Sequence, residues 1–289
     1  MAWQPTTIRR YIKGFPSSAR TALVETDVGQ AYVKGMGGPE GPHTLASEWV
    51  ATQLAAWFGL STFDFAIVPL DEMDEVWFVD RDGNHIGKAD PGPAFITRAE
   101  LGDTWSGDKR QLKKLVNPQD VARLVVFDTW LLNCDRFSLP VGKPVQKPRI
   151  NRNNVFLSEE APEGQLLLKA MDHTHCFTCG AEWTNTLAHI DRIQCRRLFG
   201  MFPEFRVHIG DDRNAVCHAA KELLSLKRGD VMSVVRTIPR EWDVNAGALD
   251  ALVNFILGRA TFVAAEIERM IWPQLHLGYP GNEEMEGVS

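Results

Sequence analysis

Six polar residues stand in an order that suits phosphoryl transfer from a nucleoside triphosphate. Lys34 closes a predicted strand, and Glu48 lies in the helix predicted to follow. Asp135 comes directly after a long apolar run. Asn153 and Asn154 precede a short strand, and Asp172 ends the next one. In that chemistry a strand lysine neutralises the α- and β-phosphates and a helix glutamate orients the lysine. A loop aspartate takes or orients the acceptor hydroxyl proton, while an asparagine and a second aspartate hold Mg²⁺. Taken singly, each has a plain structural reading, because charged side chains are mostly exposed. Order and secondary structure together favour the chemical one.

The elements that must position these residues follow from the pattern of apolar positions. "TALVET" and "AYVK" read as strands around the turn "DVGQ". "TLASEWVATQLAAWFGL" has Leu45, Trp49, Leu54, Trp57 and Phe58 at helical spacing, with Gly59 as its stop. "FDFAIVPL" and "EVWFVD" read as strands, "DRDGN" as a turn and "KADPGPAF" as a loop. "NPQDVARLVVFDTWLLN" reads as a buried helix with Asn117 as N-cap and Pro118 at its first position. Asp135 and Arg136, in "LLNCDRFSLP", lie at the mouth of that helix. "NNVFL" and "LLLKAMD" read as short strands. The helix-like stretches that follow are "NTLAHIDRIQCRRLFGMF", "RNAVCHAAKELLSL", "GDVMSVVRTI" and "NAGALDALVNFILGRATFVAAEIERMIW". The sum is a β-rich lobe over 1–98 and a larger helical lobe over 99–289, with a ligand cleft expected between them.

Bulk properties narrow the classes. With 289 residues, 44% hydrophobic and 24% charged, the chain reads as an ordinary globular protein. A net charge of −6 gives no general basic surface for nucleic acid, and no direct nucleic-acid binding is expected. The first residues lack the apolar core of a secretory signal. No apolar run reaches the roughly 18–20 residues of a membrane span, because Arg259 interrupts the longest. The five cysteines are scattered and odd in number, so reduced thiols of a cytoplasmic protein are expected. Cys176 and Cys179 form the only CxxC, and a structural zinc site would need a second pair.

"LLNCDR", "NNVFL" and "MDHTHCF" resemble the catalytic and metal-binding segments of HipA-like kinases, relatives of the protein and phosphatidylinositol kinases. "HTLASEWVATQLAAWFGLSTFDFAIVPL" resembles the segment after the lysine strand of that family, and the likeness runs from about residue 15 to about 180. The resemblance implies an α+β, bilobal protein-kinase-like fold, ATP with Mg²⁺, and transfer to a Ser/Thr hydroxyl of a protein, the kinase itself included. It also implies an antitoxin-like partner in a toxin–antitoxin setting. With no helix-turn-helix segment evident, DNA contact would come from that partner. By position, Lys34 is the phosphate lysine and Glu48 its partner. Asp135 is the catalytic aspartate with Arg136 supporting the loop. Asn153 or Asn154 is one metal ligand and Asp172 the other, although "MDHTH" replaces the kinases' Asp-Phe-Gly. Ser17 and Ser18, in "GFPSSAR", occupy the phosphate-covering loop, where nearby backbone N–H groups can cradle phosphates. Either serine is a candidate for autophosphorylation.

The sequence departs from the family twice. Phe137 stands where many members have histidine, and "FSLPVGKPVQKPRI" puts Asn153 and Asn154 18 and 19 residues after Asp135. An excursion of this kind loops out at small entropic cost when its ends are anchored. It also sets Lys143, Lys147, Arg149 and Arg152 beside the presumed acceptor site, either as attractants for an anionic substrate or as a solvated loop. A pseudokinase, or a nucleotide-binding regulatory module without turnover, is the competing expectation.

Overall fold

The computed structural model describes residues 3–140, 147–210 and 213–273. Its N-terminal part is a five-stranded antiparallel sheet. The sheet contains β1 (Ile8–Gly14), β2 (Ala22–Thr26), β3 (Gly29–Met36), β4 (Phe65–Leu70) and β7 (Asp90–Arg98), in the spatial order β1-β2-β3-β7-β4. A hairpin of β5 (Trp77–Val79) and β6 (His85–Lys88) lies outside that sheet. Helix α1 (His43–Trp57) follows β3 and carries Glu48.

The segment expected as a loop, "KADPGPAF", is instead most of β7, the strand between β3 and β4. Prolines in an inner strand normally leave a ladder hydrogen bond unmade. Here the β3–β7 register jumps from Lys34↔Phe95 to Met36↔Asp90, so residues 91–94 have no β3 partner and the missing N–H groups are not called upon.

A second small sheet joins β8 (Gly102–Thr104), β11 (Val155–Ser158) and β12 (Leu167–Ala170) in the order β12-β11-β8. The two-residue strands β9 (Phe137–Ser138) and β10 (Arg149–Ile150) pair antiparallel. Around these strands pack α2 (Lys109–Leu112), α3 (Asp120–Leu131), α4 (Ile190–Ile193), α5 (Pro203–Ile209), α6 (Arg213–Leu223), α7 (Arg228–Val235) and α8 (Ala246–Ile271). The result is an α+β fold with a β-rich N-terminal part and a helical C-terminal part.

Asn117 does not cap α3; Gln119 holds that position. The Asn117 amide instead donates to Asp120 Oδ2 at 2.7 Å and to the Leu168 carbonyl at 2.9 Å, and its oxygen accepts from Leu168 N at 3.0 Å. It thereby ties the helix start to β12. The stretch expected as one helix over 185–202 is broken into a 3₁₀ turn (Asn185–Ala188), the single turn α4 and extended chain. Phe199 N donates to Thr129 Oγ1 at 3.1 Å, and Gly200 follows at φ +70°. A Cβ at Gly200 would lie 2.3 Å from Asp128 Oδ2, so only glycine fits there.

The larger core is shared. It unites α1 residues such as Val50 and Leu54 with α3, α6, α7 and α8. The fully buried tryptophans Trp105, Trp130, Trp183 and Trp242 belong to it, while a smaller cluster fills the β1–β7 side. Helix α8 is long and apolar enough, by length and composition, to cross a membrane, contrary to the expectation that Arg259 interrupts the run. Half of its apolar window is buried against the protein, and Arg259 is itself buried. That guanidinium donates to the carbonyls of Thr129, Trp130, Ile193 and Cys195, which lets a charged residue sit in an apolar helix.

Candidate active site

β3 and α1 bring the first pair together. Lys34 Nζ donates to Glu48 Oε2 at 2.6 Å and to Asp172 Oδ1 at 3.0 Å. Burial by itself pushes the lysine pKa down, but the carboxylates of Asp172 and Glu48 outweigh it and hold the ammonium protonated well above its ordinary range. Burial likewise works to raise Glu48. The adjacent Lys34 charge and the His173 hydrogen bond win, and Glu48 stays ionised far below the usual carboxylate range. The other Glu48 oxygen accepts from His173 N at 3.0 Å, and the His173 ring meets Thr52 Oγ1 at 3.2 Å.

Asp172 follows β12 in the left-handed region, at φ +56°. Aspartate tolerates that conformation better than most side chains. Thr174 Oγ1 donates to Asp172 Oδ1 at 2.9 Å.

Asp135 is held on both oxygens. Oδ2 accepts from Asn154 Nδ2 at 2.7 Å and from Asn151 Nδ2 at 3.2 Å, and Oδ1 is ion-paired with Arg149. Of the two candidate asparagines, Asn154 is buried against Asp135, while Asn153 meets Thr104 Oγ1 at 3.5 Å, and both line the same cavity.

Arg136 is fully buried and does not reach the cavity. It pairs with Asp128 on α3, and it donates to the carbonyl of Asn154 at 2.9 Å and that of Met171 at 2.6 Å. One guanidinium thus fastens the Asp135 loop to the residue that touches Asp135 and to the residue just before Asp172. Leu132 ends α3 at φ +53°, and Asn133 then pins Asp128 Oδ1 at 3.0 Å and Asp135 N at 3.2 Å.

These side chains line one cavity of about 560 Å³, within the range of small-molecule sites. Its lining includes Lys34, Glu48, Asp135, Asn153, Asn154 and Asp172. An apolar stretch is made by Tyr32, Phe63, Phe95, Phe156 and Met171, and Ser17 and Ser18 border the opening. Ser17 Oγ accepts from Thr21 N at 3.0 Å, which closes the turn between β1 and β2. Glu40, in the glycine-rich segment after β3, reaches His175 Nε2 at 3.3 Å. That hydrogen bond, with the nearby Asp135 and Asp172 charges, raises His175. The same hydrogen bond and the His175 charge lower Glu40, against burial and the Asp172 charge, which both push it up.

Asn151 and Asn133 were not singled out in the sequence, and Arg149 was named only as one of the four cations of the excursion. Asn151 sits in "INRNN" and Asn133 in "LLNCD", so each carries a proximity signal. Arg149 carries only its charge. Of the four cations in the excursion, Lys143 lies outside the described residues. Arg152 bonds Glu204 at 2.7 Å with its guanidinium over Trp105 and Phe202, and Lys147 is exposed. Cys134, next to Asp135, faces Cys179 with Cα atoms 5.7 Å apart, a separation that a disulfide can span. Cys176 is a buried thiol whose pKa burial pushes up.

The fold is similar to the crystal structure of a Helicobacter pylori proinflammatory kinase, CtkA. The TM-score is 0.56 at 12% identity, over 91% of this chain and 96% of that one. A chain of the Shewanella oneidensis MR-1 toxin–antitoxin complex of HipA, HipB and operator DNA matches at a TM-score of 0.43 and 12% identity, over 93% of this chain and 65% of that one. No curated protein matches the sequence. The family model described as HipA-like kinase matches residues 18–270. Spanning most of the chain, that match shows that the protein belongs to the HipA-like kinase family.

Proposed function

We propose that the protein transfers the γ-phosphate of ATP, bound with Mg²⁺, to a Ser/Thr hydroxyl of a protein, its own serines included. The observation that carries this is the placement of Lys34, bracketed by Glu48 and Asp172, in the same cavity as Asp135. The Lys34 ammonium, kept charged by its two carboxylates, donates to phosphate oxygens, and Glu48 fixes its direction. The apolar stretch from Tyr32 to Met171 takes the base. Asp135, oriented by Asn154 and Asn151, accepts the proton of the acceptor hydroxyl.

Asp172 and Asn154 are an all-oxygen pair facing one cavity, which suits a hard cation held by one or two carboxylates plus phosphates. Asp172 and Asn154 would hold Mg²⁺ there, where it would offset the negative charge of the phosphates. Ser17 and Ser18 cover the phosphates and supply an internal acceptor. A toxin restrained by an antitoxin-like partner is the wider setting we propose, on the family resemblance. A nucleotide-binding module without turnover is the competing function.

ADP release and labelling from [γ-³²P]ATP separate the two, using wild type, Asp135→Ala and Asp172→Ala. Turnover lost in both variants is the expected result. A wild type that binds Mg·ATP and never turns over refutes it. Growth on expression, with Asp172→Ala as control, tests the toxin setting.

A further inference from the structure

The cavity lining holds two cationic side chains among the described residues, Lys34 and Arg149. Lys34 is committed at one end, between Glu48 and Asp172. At the other end, where the acceptor must approach, the other described cations close to Asp135 in sequence, Arg136 and Arg152, are engaged elsewhere, and Lys147 is not on the cavity lining. Arg136 is fully buried and its guanidinium is shared among Asp128 and two carbonyls. Phe137 and Ser138 are buried and uncharged. Arg152 is spent on Glu204. Phosphoryl transfer concentrates charge on the three equatorial oxygens of the moving group, and it needs donors there that strengthen as the reaction proceeds.

Arg149 is placed to fill that gap. The β9–β10 pairing sets Arg149 opposite Ser138 and Ile150 opposite Phe137, and Asn151 N donates to the Arg136 carbonyl at 2.9 Å. The excursion therefore leaves the site at Ser138 and returns in fixed register, with the guanidinium on Asp135 Oδ1. About half of the side chain is exposed (51%), so it is free to turn from Asp135 toward an incoming anion, and its planar fork suits phosphate.

We propose that Arg149 is a catalytic residue, resting on the kinase function above: it donates to the transferring phosphoryl group, and it latches Asp135 when no nucleotide is present. In the step, the acceptor oxygen forms a bond to the γ-phosphorus. The bond from that phosphorus to the β–γ bridging oxygen breaks, and its electron pair leaves on ADP. The acceptor proton passes to Asp135. Arg149 gives hydrogen bonds only and ends the step in the protonation state in which it began. On this account the excursion completes the site of this chain rather than decorating it.

The test compares wild type, Arg149→Ala and Arg149→Lys in the full chain. The first readout is binding of Mg·ADP with and without fluoroaluminate, a mimic of the planar phosphoryl group. In wild type, fluoroaluminate tightens Mg·ADP by about 10²-fold or more. Arg149→Ala loses most of that gain, while its affinity for Mg·ADP alone stays within about 2-fold because Arg149 donates to the transferring group and not to ADP. The second readout is single-turnover labelling from [γ-³²P]ATP. It falls by about 10³-fold in Arg149→Ala, is partly kept in Arg149→Lys, and recovers on addition of free guanidinium ion. An Arg149→Ala protein that keeps the fluoroaluminate effect and the rate refutes the proposal. So does one that loses Mg·ADP affinity in parallel with rate, since that marks a structural role. A wild type that neither transfers phosphate nor responds to fluoroaluminate removes the kinase function and this role together. An active wild type with an indifferent Arg149→Ala removes this role alone.

Discussion

Replacing Arg136 by methionine keeps most of the side-chain volume and removes the fork. Three partners lose their donor: the Asp128 carboxylate, the Asn154 carbonyl and the Met171 carbonyl. Arg136 and Asp128 are both 0% exposed, so water cannot replace the lost bonds without opening the core. Removing one member of a buried ion pair costs about 3–5 kcal/mol, and each carbonyl left without a donor adds roughly 1–3 kcal/mol. These contributions overlap, because the same local opening relieves all three, and a loss of about 5 kcal/mol is expected. In a chain of this size that corresponds to a fall in Tm of roughly 10–20 °C.

Urea unfolding followed by tryptophan fluorescence measures the loss directly. Adding Asp128→Asn to Arg136→Met removes the stranded charge, so the double variant recovers about 2 kcal/mol or more of the single variant's deficit. Acidity gives a second check. Burial already raises Asp128, and without Arg136 its pKa rises further. A group whose folded pKa lies above its unfolded value contributes stability at low pH that is lost as pH rises through the folded pKa, so the deficit is smaller at pH 5 than at pH 8. An Arg136→Met protein that unfolds within about 1 kcal/mol of wild type, with no pH dependence in the difference, refutes the assignment of Arg136 as a clamp.

Two further outcomes are expected. His175, raised by Glu40, favours the clasp below pH 6.5, and the contribution fades as pH climbs through the raised value. Glu40, depressed by His175, supports the clasp above 4.5 and loses it as pH falls through the lowered value. In an NMR titration the His175 midpoint therefore drops in Glu40→Gln, and an unmoved midpoint refutes the pairing. Once oxidised, the Cys134–Cys179 pair closes a separation of 45 residues, for which chain entropy gives about 4 kcal/mol. Reductant lowers the unfolding free energy of oxidised wild type by about that amount, moving its urea midpoint down, and leaves Cys134→Ser/Cys179→Ser unchanged. Equal midpoints with and without reductant refute it.

Local periodicity was enough for the parts that position Lys34, Glu48 and Asp172. The strands around "DVGQ", the helix through Glu48 and the two short strands before Asp172 all form where their apolar spacing places them. What was hidden depends on partners distant in sequence. Whether prolines 91 and 93 can sit in an inner strand turns on a register jump in β3, and no feature of "DPGPAF" announces it. Cys176 and Cys179 drew notice as a CxxC, yet Cys179 faces Cys134, 45 residues earlier and beside Asp135. Arg259 looked like an interruption because its four carbonyl partners come from elements up to 130 residues away. Arg149 was one cation among four until the β9–β10 pairing returned it to Asp135.

The shared core has a consequence for control. Trp183 donates from its indole to Ser47 Oγ at 3.1 Å and from its backbone to His43 Nδ1 at 2.7 Å, and Trp49 donates to Thr237 Oγ1 at 2.8 Å. The first half of the helix that carries Glu48 is thus bolted to the C-terminal part. A kinase whose glutamate helix swings in and out spends part of its time unable to bind productively, and its apparent affinity for nucleotide falls by that fraction. These contacts oppose such a swing and disfavour it as an on–off lever. A throttle on the chemistry is then expected at segments that line the cavity: the serine turn and the hairpin bearing Arg149.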